Sequence, residues 1–228
     1  MKKLMMMAAM MVATLTASAQ FEPGTFSLQP KMGGTGAMMS DMPKLPLNFP
    51  DGSQLNIDKE PTGGFIIGAE AEYQLTKMLS VAAGVNYAQQ GSGWKDTKIA
   101  YNGATADLKD AKVELGYVNV PVVANVYLFK GFALKAGVQL GFLTSAKTKA
   151  SAEGEENGFH HTLELDEDIK SGCNKTDISI PVGLSYQFKV PIVIDARYNI
   201  GLTNVNKNGD RNSKNQVFQI TVGYKFAL

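Results

Sequence analysis

Apolar side chains return at every second position over eight stretches of this chain, a period that suits an extended strand with two unlike faces rather than an amphipathic helix. The stretches are 25–33, 64–75, 78–90, 116–129, 132–143, 177–188, 191–202 and 217–228. In the second, Phe65, Ile67, Ala69, Ala71, Tyr73 and Leu75 alternate with Gly68, Glu70, Glu72 and Gln74. In the last, Phe218, Ile220, Val222, Tyr224, Phe226 and Leu228 alternate with Gln219, Thr221, Gly223, Lys225 and Ala227. Thr76-Lys77, Lys130-Gly131 and Lys189-Val190 read as tight turns, whereas 34–63, 91–115, 144–176 and 203–216 read as long polar links. Short turns at one end and long loops at the other describe an up-and-down meander with two different rims. The fourth and fifth stretches also resemble the sixth and seventh at an offset of 60 residues: Val120-Pro121-Val122 matches Ile180-Pro181-Val182, and Leu140-Gly141-Phe142 matches Ile200-Gly201-Leu202.

Alternation alone does not say which face is wet, because a soluble lipocalin-like barrel with its apolar side turned inward has the same pattern. Three features favour the apolar side facing lipid. Stretches of about 11 to 13 residues suit a tilted crossing of the hydrocarbon layer, which takes about 9 to 11. Aromatics mark both ends of the apolar face: Phe65, Tyr87, Phe142 and Phe218 toward the long links, and Tyr73, Phe132, Phe188 and Phe226 toward the tight turns. The series Thr221, Gly223, Phe226 and Leu228 looks like the C-terminal insertion signal of outer-membrane barrels, although an aromatic is commoner than Leu at the last place. The expected fold is all-β: an eight-stranded antiparallel up-and-down transmembrane β-barrel with short periplasmic turns and long extracellular loops.

This orientation turns Lys31, Glu70, Glu72, Lys135, Asp177, Asp195 and Arg197 into a lumen wide enough only for side chains. Isolated buried charge is costly, so these groups are expected to pair, as a polar plug or as a proton or ion path. Pro121 and Pro181 each remove a ladder donor from a strand with no free edge, and a bulge or kink is expected at both.

At the other end, Lys2 and Lys3 precede an apolar run from Leu4 to Leu15, and Ala17-Ser18-Ala19 supplies a small-x-small cleavage pattern. The run is too short to cross a bilayer as a helix, which takes about 20 residues. Residues 1–19 are therefore expected to be a signal peptide and 20–228 an outer-membrane barrel domain. Removing the two lysines leaves 20 basic residues of the 22 against 21 acids. That balance speaks against a nucleic-acid partner. The single cysteine, Cys173, rules out an intramolecular disulfide.

The stretches Tyr117-Val118-Asn119-Val120-Pro121-Val122, Gly137-Val138-Gln139-Leu140-Gly141-Phe142-Leu143 and Asp195-Ala196-Arg197-Tyr198-Asn199-Ile200-Gly201-Leu202 resemble the PorT-type family of small outer-membrane barrels of Bacteroidota. The Ser18-Ala19-Gln20 junction suits signal peptides of that group. The resemblance covers most of the mature chain and implies the barrel fold. It implies no assigned activity, and the secretion role of one namesake is not carried over.

Few residues offer chemistry. His160 and His161 lie in the longest late link beside Glu164, Asp166, Glu167 and Asp168, where a His with an acidic partner can act as a base or a metal ligand. Adjacent histidines on an extended segment point to opposite sides, which disfavours joint ligation. Gly33-Gly34-Thr35-Gly36 lacks the lysine and helix of a phosphate loop and reads as turn glycines. The first link, with Met38, Met39, Met42, Pro43, Pro46 and Pro50, is either an apolar contact surface or a cover for the rim. The leading expectation is a non-enzymatic integral barrel without cofactor or metal. Its expected partners are the outer-membrane bilayer, the barrel-insertion machinery and an unidentified extracellular or envelope partner met through the loops. A hydrolase with a rim site in 144–176 is the alternative, and a narrow solute pore the third.

Overall fold

The computed structural model describes residues 21–48, 52–101, 104–156, 159–207 and 213–228. The proposed signal peptide therefore lies outside the described residues.

Eight long strands form a closed ring. They are β1 (Phe26–Met39), β2 (Thr62–Gln74), β3 (Leu79–Trp94), β4 (Ala104–Phe129), β5 (Phe132–Glu156), β6 (Thr176–Gln187), β7 (Ile192–Asn204) and β8 (Lys214–Tyr224). Each pairs antiparallel with the next, and β8 closes on β1 through the register Lys31 opposite Gly223 to Met39 opposite Asn215. Beyond β8, Phe226–Ala227 regains β1 in the same register, and the Leu228 N–H donates to the Phe26 carbonyl at 2.9 Å. The sequence-derived fold is thus borne out, and so is the pairing of the two similar hairpins. Val122 stands opposite Val138 and, 60 residues on, Val182 stands opposite Tyr198, so the two hairpins share one register.

Burial settles which face is wet. Phe65, Ile67, Val138 and Ile220 are about half exposed on the outside, whereas Glu70, Asn119, Asp195 and Gln219 are buried within the ring. Aromatic pairs gather at the tight-turn rim, with ring centroids 4.9 Å apart for Phe26 and Tyr73, 4.8 Å for Phe129 and Phe132, and 4.9 Å for Tyr186 and Phe188. At the opposite rim Phe65 and Tyr87 stand 5.6 Å apart. Girdles of aromatic residues mark the two interfaces of such barrels, and Tyr73, Tyr87 and Tyr186 add a polar tip to an apolar body, so the belts bracket the hydrocarbon layer.

Three local expectations need correction. Gly33 to Gly36 form neither a turn nor a phosphate loop; they are interior residues of β1, paired to β8 and β2. Of the three glycines only Gly33 is closely approached, since a Cβ there would fall 2.7 Å from Thr221 Cα; nearby, the Thr35 hydroxyl donates to the Gln89 carbonyl at 2.6 Å through space that a Cβ on Gly64 would occupy. Pro121 and Pro181 cause no register shift. At each, pairing lapses on one side only and then resumes in the same register. Pro121 loses β3 while staying paired to Gln139 of β5, and Pro181 loses β5 while staying paired to Asn199 of β7. A missing N–H costs one side of the ladder, and a stiff barrel wall absorbs that loss without a bulge.

The third correction concerns the long links. Strands β4 and β5 run on well past the aromatic belt and are flanked there by strands Thr97–Tyr101 and Phe159–Asp168. The result is a four-stranded sheet standing above the barrel. The extension was hidden because two irregularities, between Gly116 and Tyr117 and between Lys109 and Lys112, interrupt the period of two. Asp110, with φ of 53°, makes the second.

Inward-facing glycines are expected to be the least replaceable positions of the wall. A Cβ on Gly183 would sit 2.9 Å from Arg197 Cα, so Gly183→Ala must move backbone and should lower folding stability by about 1–3 kcal/mol. Gly172→Ala, which meets nothing within 4 Å, is the matched control. Urea unfolding in lipid vesicles measures both, and equal midpoints would refute the packing argument.

Candidate functional site: a double-sealed lumen below a displayed sheet

Among the described residues eight charged side chains are buried: Lys31, Lys135, Arg197 and Lys225 against Glu70, Glu72, Asp177 and Asp195. The cations and carboxylates are equal in number. The strands make room for them with glycines. Gly183 of β6 lies in register between Lys135 of β5 and Arg197 of β7, and Gly68 and Gly223 flank Lys31.

Arg197 is the hub. Its Nη1 and Nη2 donate to the two Glu70 oxygens at 2.6 and 2.7 Å, while Nε and Nη2 donate to Asp195 at 2.7 and 2.9 Å. A planar guanidinium is the group suited to gripping two carboxylates at once. Lys31 adds a donor to Glu70 at 2.5 Å, and Lys135 donates to Asp195. The chain Lys31, Glu70, Arg197, Asp195, Lys135 therefore alternates in sign and ties β1, β2, β7 and β5 together through the lumen.

A second group surrounds Glu72. Lys225 lies 2.8 Å from its Oε1, and the Tyr127 and Ser80 hydroxyls donate to the same oxygen at 2.6 and 2.7 Å. Lys225 also donates to the Tyr127 hydroxyl at 3.0 Å. Tyr127 belongs to β4 and Lys225 follows β8, which is the opposite wall of an eight-strand ring. This contact spans the lumen. Lys225 and Tyr127 were absent from the sequence-derived set, although both fall on the polar phase of their strands. Asp177 stays apart: it is buried opposite Gly141, outside the ion-paired groups.

Above the membrane the polarity inverts. Most inward residues there are apolar, with Gln90, Ser92 and Asn215 buried among them, and Met39, Met42, Leu115, Tyr117, Leu143, Ala146, Cys173 and Val205 pack into one core against Trp94, Val113 and Ile169. Trp94 Nε1 donates to the Pro43 carbonyl at 2.9 Å and so fixes the first link over the mouth. Of the two readings of that link, a cover for the rim is the one the structure adopts for Met39 and Met42. The core resembles that of a soluble domain, where a fully buried Leu or Met contributes about 1.5–3 kcal/mol.

The sheet beyond this cap has one polar face. Glu114 bridges Lys149 at 2.8 Å and Lys112 at 3.2 Å, and Lys109 meets Glu153 at 2.8 Å. Burial alone would raise the Glu114 carboxyl, but hydrogen bonds and charge from Lys149 and Lys112 outweigh it and hold the group below its ordinary 4.5. His161 is exposed on the Phe159–Asp168 strand opposite Gly154, and the side chain of His160 lies outside the described residues. The histidines thus occupy a strand, not a loop. Thr221 is buried opposite Asp195, Gly223 is buried opposite Lys31, Phe226 pairs at Leu28, and Leu228 is 76% exposed.

A closed ring of eight strands, apolar without and ionic within, with belts of aromatic residues at both rims, is the build of an integral outer-membrane β-barrel. The chain belongs to the family of outer membrane protein beta-barrel domains, whose match covers residues 18–207. Among solved structures it is similar to Ail, the attachment invasion locus protein of Yersinia pestis, at 14% identity over 90% of this chain and 100% of that one, with a TM-score of 0.41. Neisserial surface protein A is similar at 14% identity over 88% and 97%, with a TM-score of 0.43. The outer membrane protease OmpT from Escherichia coli follows at 10% identity over 90% and 97%, with a TM-score of 0.35. Likeness at this level transfers no role. A comparison with curated proteins gives no match.

Arg197→Met leaves Glu70 and Asp195 short of a buried partner and is expected to cost about 3–5 kcal/mol of folding stability. Adding Glu70→Gln to that variant should recover part of the loss, which urea unfolding in vesicles would reveal as non-additivity. At the sheet, a depressed carboxyl contributes stability above its unfolded value that disappears as the pH falls through its folded one. Lowering the pH below the ordinary 4.5 of Glu114 should therefore reduce amide protection factors, taken against the intrinsic exchange rate at each pH, at residues 112–115 and 147–151. The effect should stay under about 1 kcal/mol, because the pairs are partly solvated.

Proposed function

We propose that this barrel is a sealed, non-catalytic anchor in the outer membrane that carries its four-stranded sheet outward to meet a partner. One observation carries the reading: the lumen is closed twice, by ion pairs in the membrane and by an apolar core over the mouth, while the structure invests its extra length in a sheet beyond the bilayer. A conducting path would need both seals to open. Catalysis at the rim would need a base set beside a partner group, and His161 stands on an exposed strand across from a glycine.

Finer assignments rest on sequence pattern. The stretches around Pro121, Gln139 and Arg197 support a place in the PorT-type group of Bacteroidota, and Lys2, Lys3 and Ala17-Ser18-Ala19 support export by a cleaved signal peptide. We assign the ion-paired lumenal residues a structural role as a plug. Thr221, Gly223, Phe226 and Leu228 are assigned as the surface that the insertion machinery reads, with Phe226 at the lipid-facing rim beside Tyr224.

Photo-crosslinking in intact cells from Leu45 and Thr162 is expected to capture a discrete partner, and planar-bilayer recordings of the purified chain are expected to stay flat. Steady unitary currents, or crosslinks to lipid alone from both positions, would sink the anchor reading.

A further inference from the structure

The sheet above the membrane has two edges, and they are built differently. One is Thr97–Tyr101, only five residues long and carrying Lys98, whose side chain is 87% exposed. Shortness and an edge lysine are the usual devices that keep an edge from recruiting another strand. The other edge, Phe159–Asp168, runs for ten residues and among the described residues pairs only with β5. Every second residue of such a strand points its N–H and C=O away from the sheet.

Its side chains from 161 to 168 are exposed and sorted by face. Leu163 and Leu165 are 72% and 48% exposed and lie opposite Ala152 and Ala150. Ala152 in turn faces Leu108, so an apolar stripe runs over three strands of the sheet and ends, uncovered, at this edge. Glu164, Asp166 and Asp168 occupy the other face, while Glu167, opposite Thr148, follows the two leucines on theirs. Lys147 reaches Asp166 at 3.1 Å, and Lys149 is already engaged by Glu114.

We propose that the Phe159–Asp168 edge takes up an extended cationic segment of a partner polypeptide as a further strand of the sheet. This rests on the anchor reading and names the chemistry of its partner. Main-chain hydrogen bonds supply the register, apolar residues at alternate positions continue the stripe beside Leu163 and Leu165, and Lys or Arg between them face Glu164, Asp166 and Asp168. The same acids argue against a second copy of this chain, since two such edges would crowd their carboxylates together. Nucleic acid and anionic lipid fail on sign.

The test uses the full chain in lipid nanodiscs and two ten-residue peptides, one alternating Lys with Val and one alternating Glu with Val. The Lys peptide should bind, add strand signal in isotope-edited infrared spectra, and weaken as ionic strength rises from about 0.01 to 0.15 M. Charge reversal by Glu164→Lys, Asp166→Lys and Asp168→Lys should weaken it about tenfold and favour the Glu peptide instead. Leu163→Asn with Leu165→Asn should weaken both peptides. Unchanged heat modifiability of the variants on gels shows that the barrel still folds. Equal affinity for the two peptides, binding indifferent to charge reversal, or peptide-free dimers lost on charge reversal would overturn the proposal. In cells, crosslinks from Leu45 without any from Thr162 would overturn this edge assignment alone, whereas crosslinks to lipid only from both positions would overturn the anchor reading beneath it.

Discussion

Pairing of β1 with β8 turns a twisted sheet into a ring, and the rest of the molecule is arranged around having no free edge in hydrocarbon. A backbone N–H or C=O left open there would cost several kcal/mol, with no water to receive it. Closure satisfies the ladder but creates an inside, and in a ring of eight strands that inside admits side chains only. The polar phase of every strand is thereby committed to one shared interior, where each charge must find its partner. Arg197 resolves much of this demand by holding Glu70 and Asp195 together, with Lys31 and Lys135 as outer neighbours.

The same physics, read in the opposite solvent, shapes the part beyond the membrane. Once the strands pass the aromatic belt, water lies outside them, and most of the residues that turn inward become apolar. Leu115, Ala146 and Leu143 then pack with Met39 and Met42 as they would in a soluble protein. One chain therefore contains two cores of opposite polarity stacked end to end. The boundary falls near the irregularity at Gly116 and Tyr117, where the inward phase of β5 slips from Leu143 to Ala146.

The displayed sheet has one guarded edge and one open edge. In-membrane strands need no such guarding, because closure has removed their edges. The extension keeps its edges, and its charges decide which strands are turned away. Lys98 guards the short edge, whereas the carboxylates of the long one repel their own kind and attract cations.

Period-two alternation determined the all-β class, the number of barrel strands and the tight turns, and with strand length and the aromatic belts it placed most of the lumenal charges, Lys225 excepted. It could do so because each strand crosses two uniform media, lipid outside and packed polar groups within, so burial follows from parity. Pairing within that set was not legible. Which carboxylate Arg197 grips, and that Lys225 and Tyr127 close the far side, depends on the tilt that brings distant strands level. Nor were the cap and the rising sheet, whose strands lose the period at Asp110 and near Gly116 and whose polarity is reversed. A sequence records what each residue prefers to touch; only closure of the ring decides which residues stand at the same height and which solvent they find there.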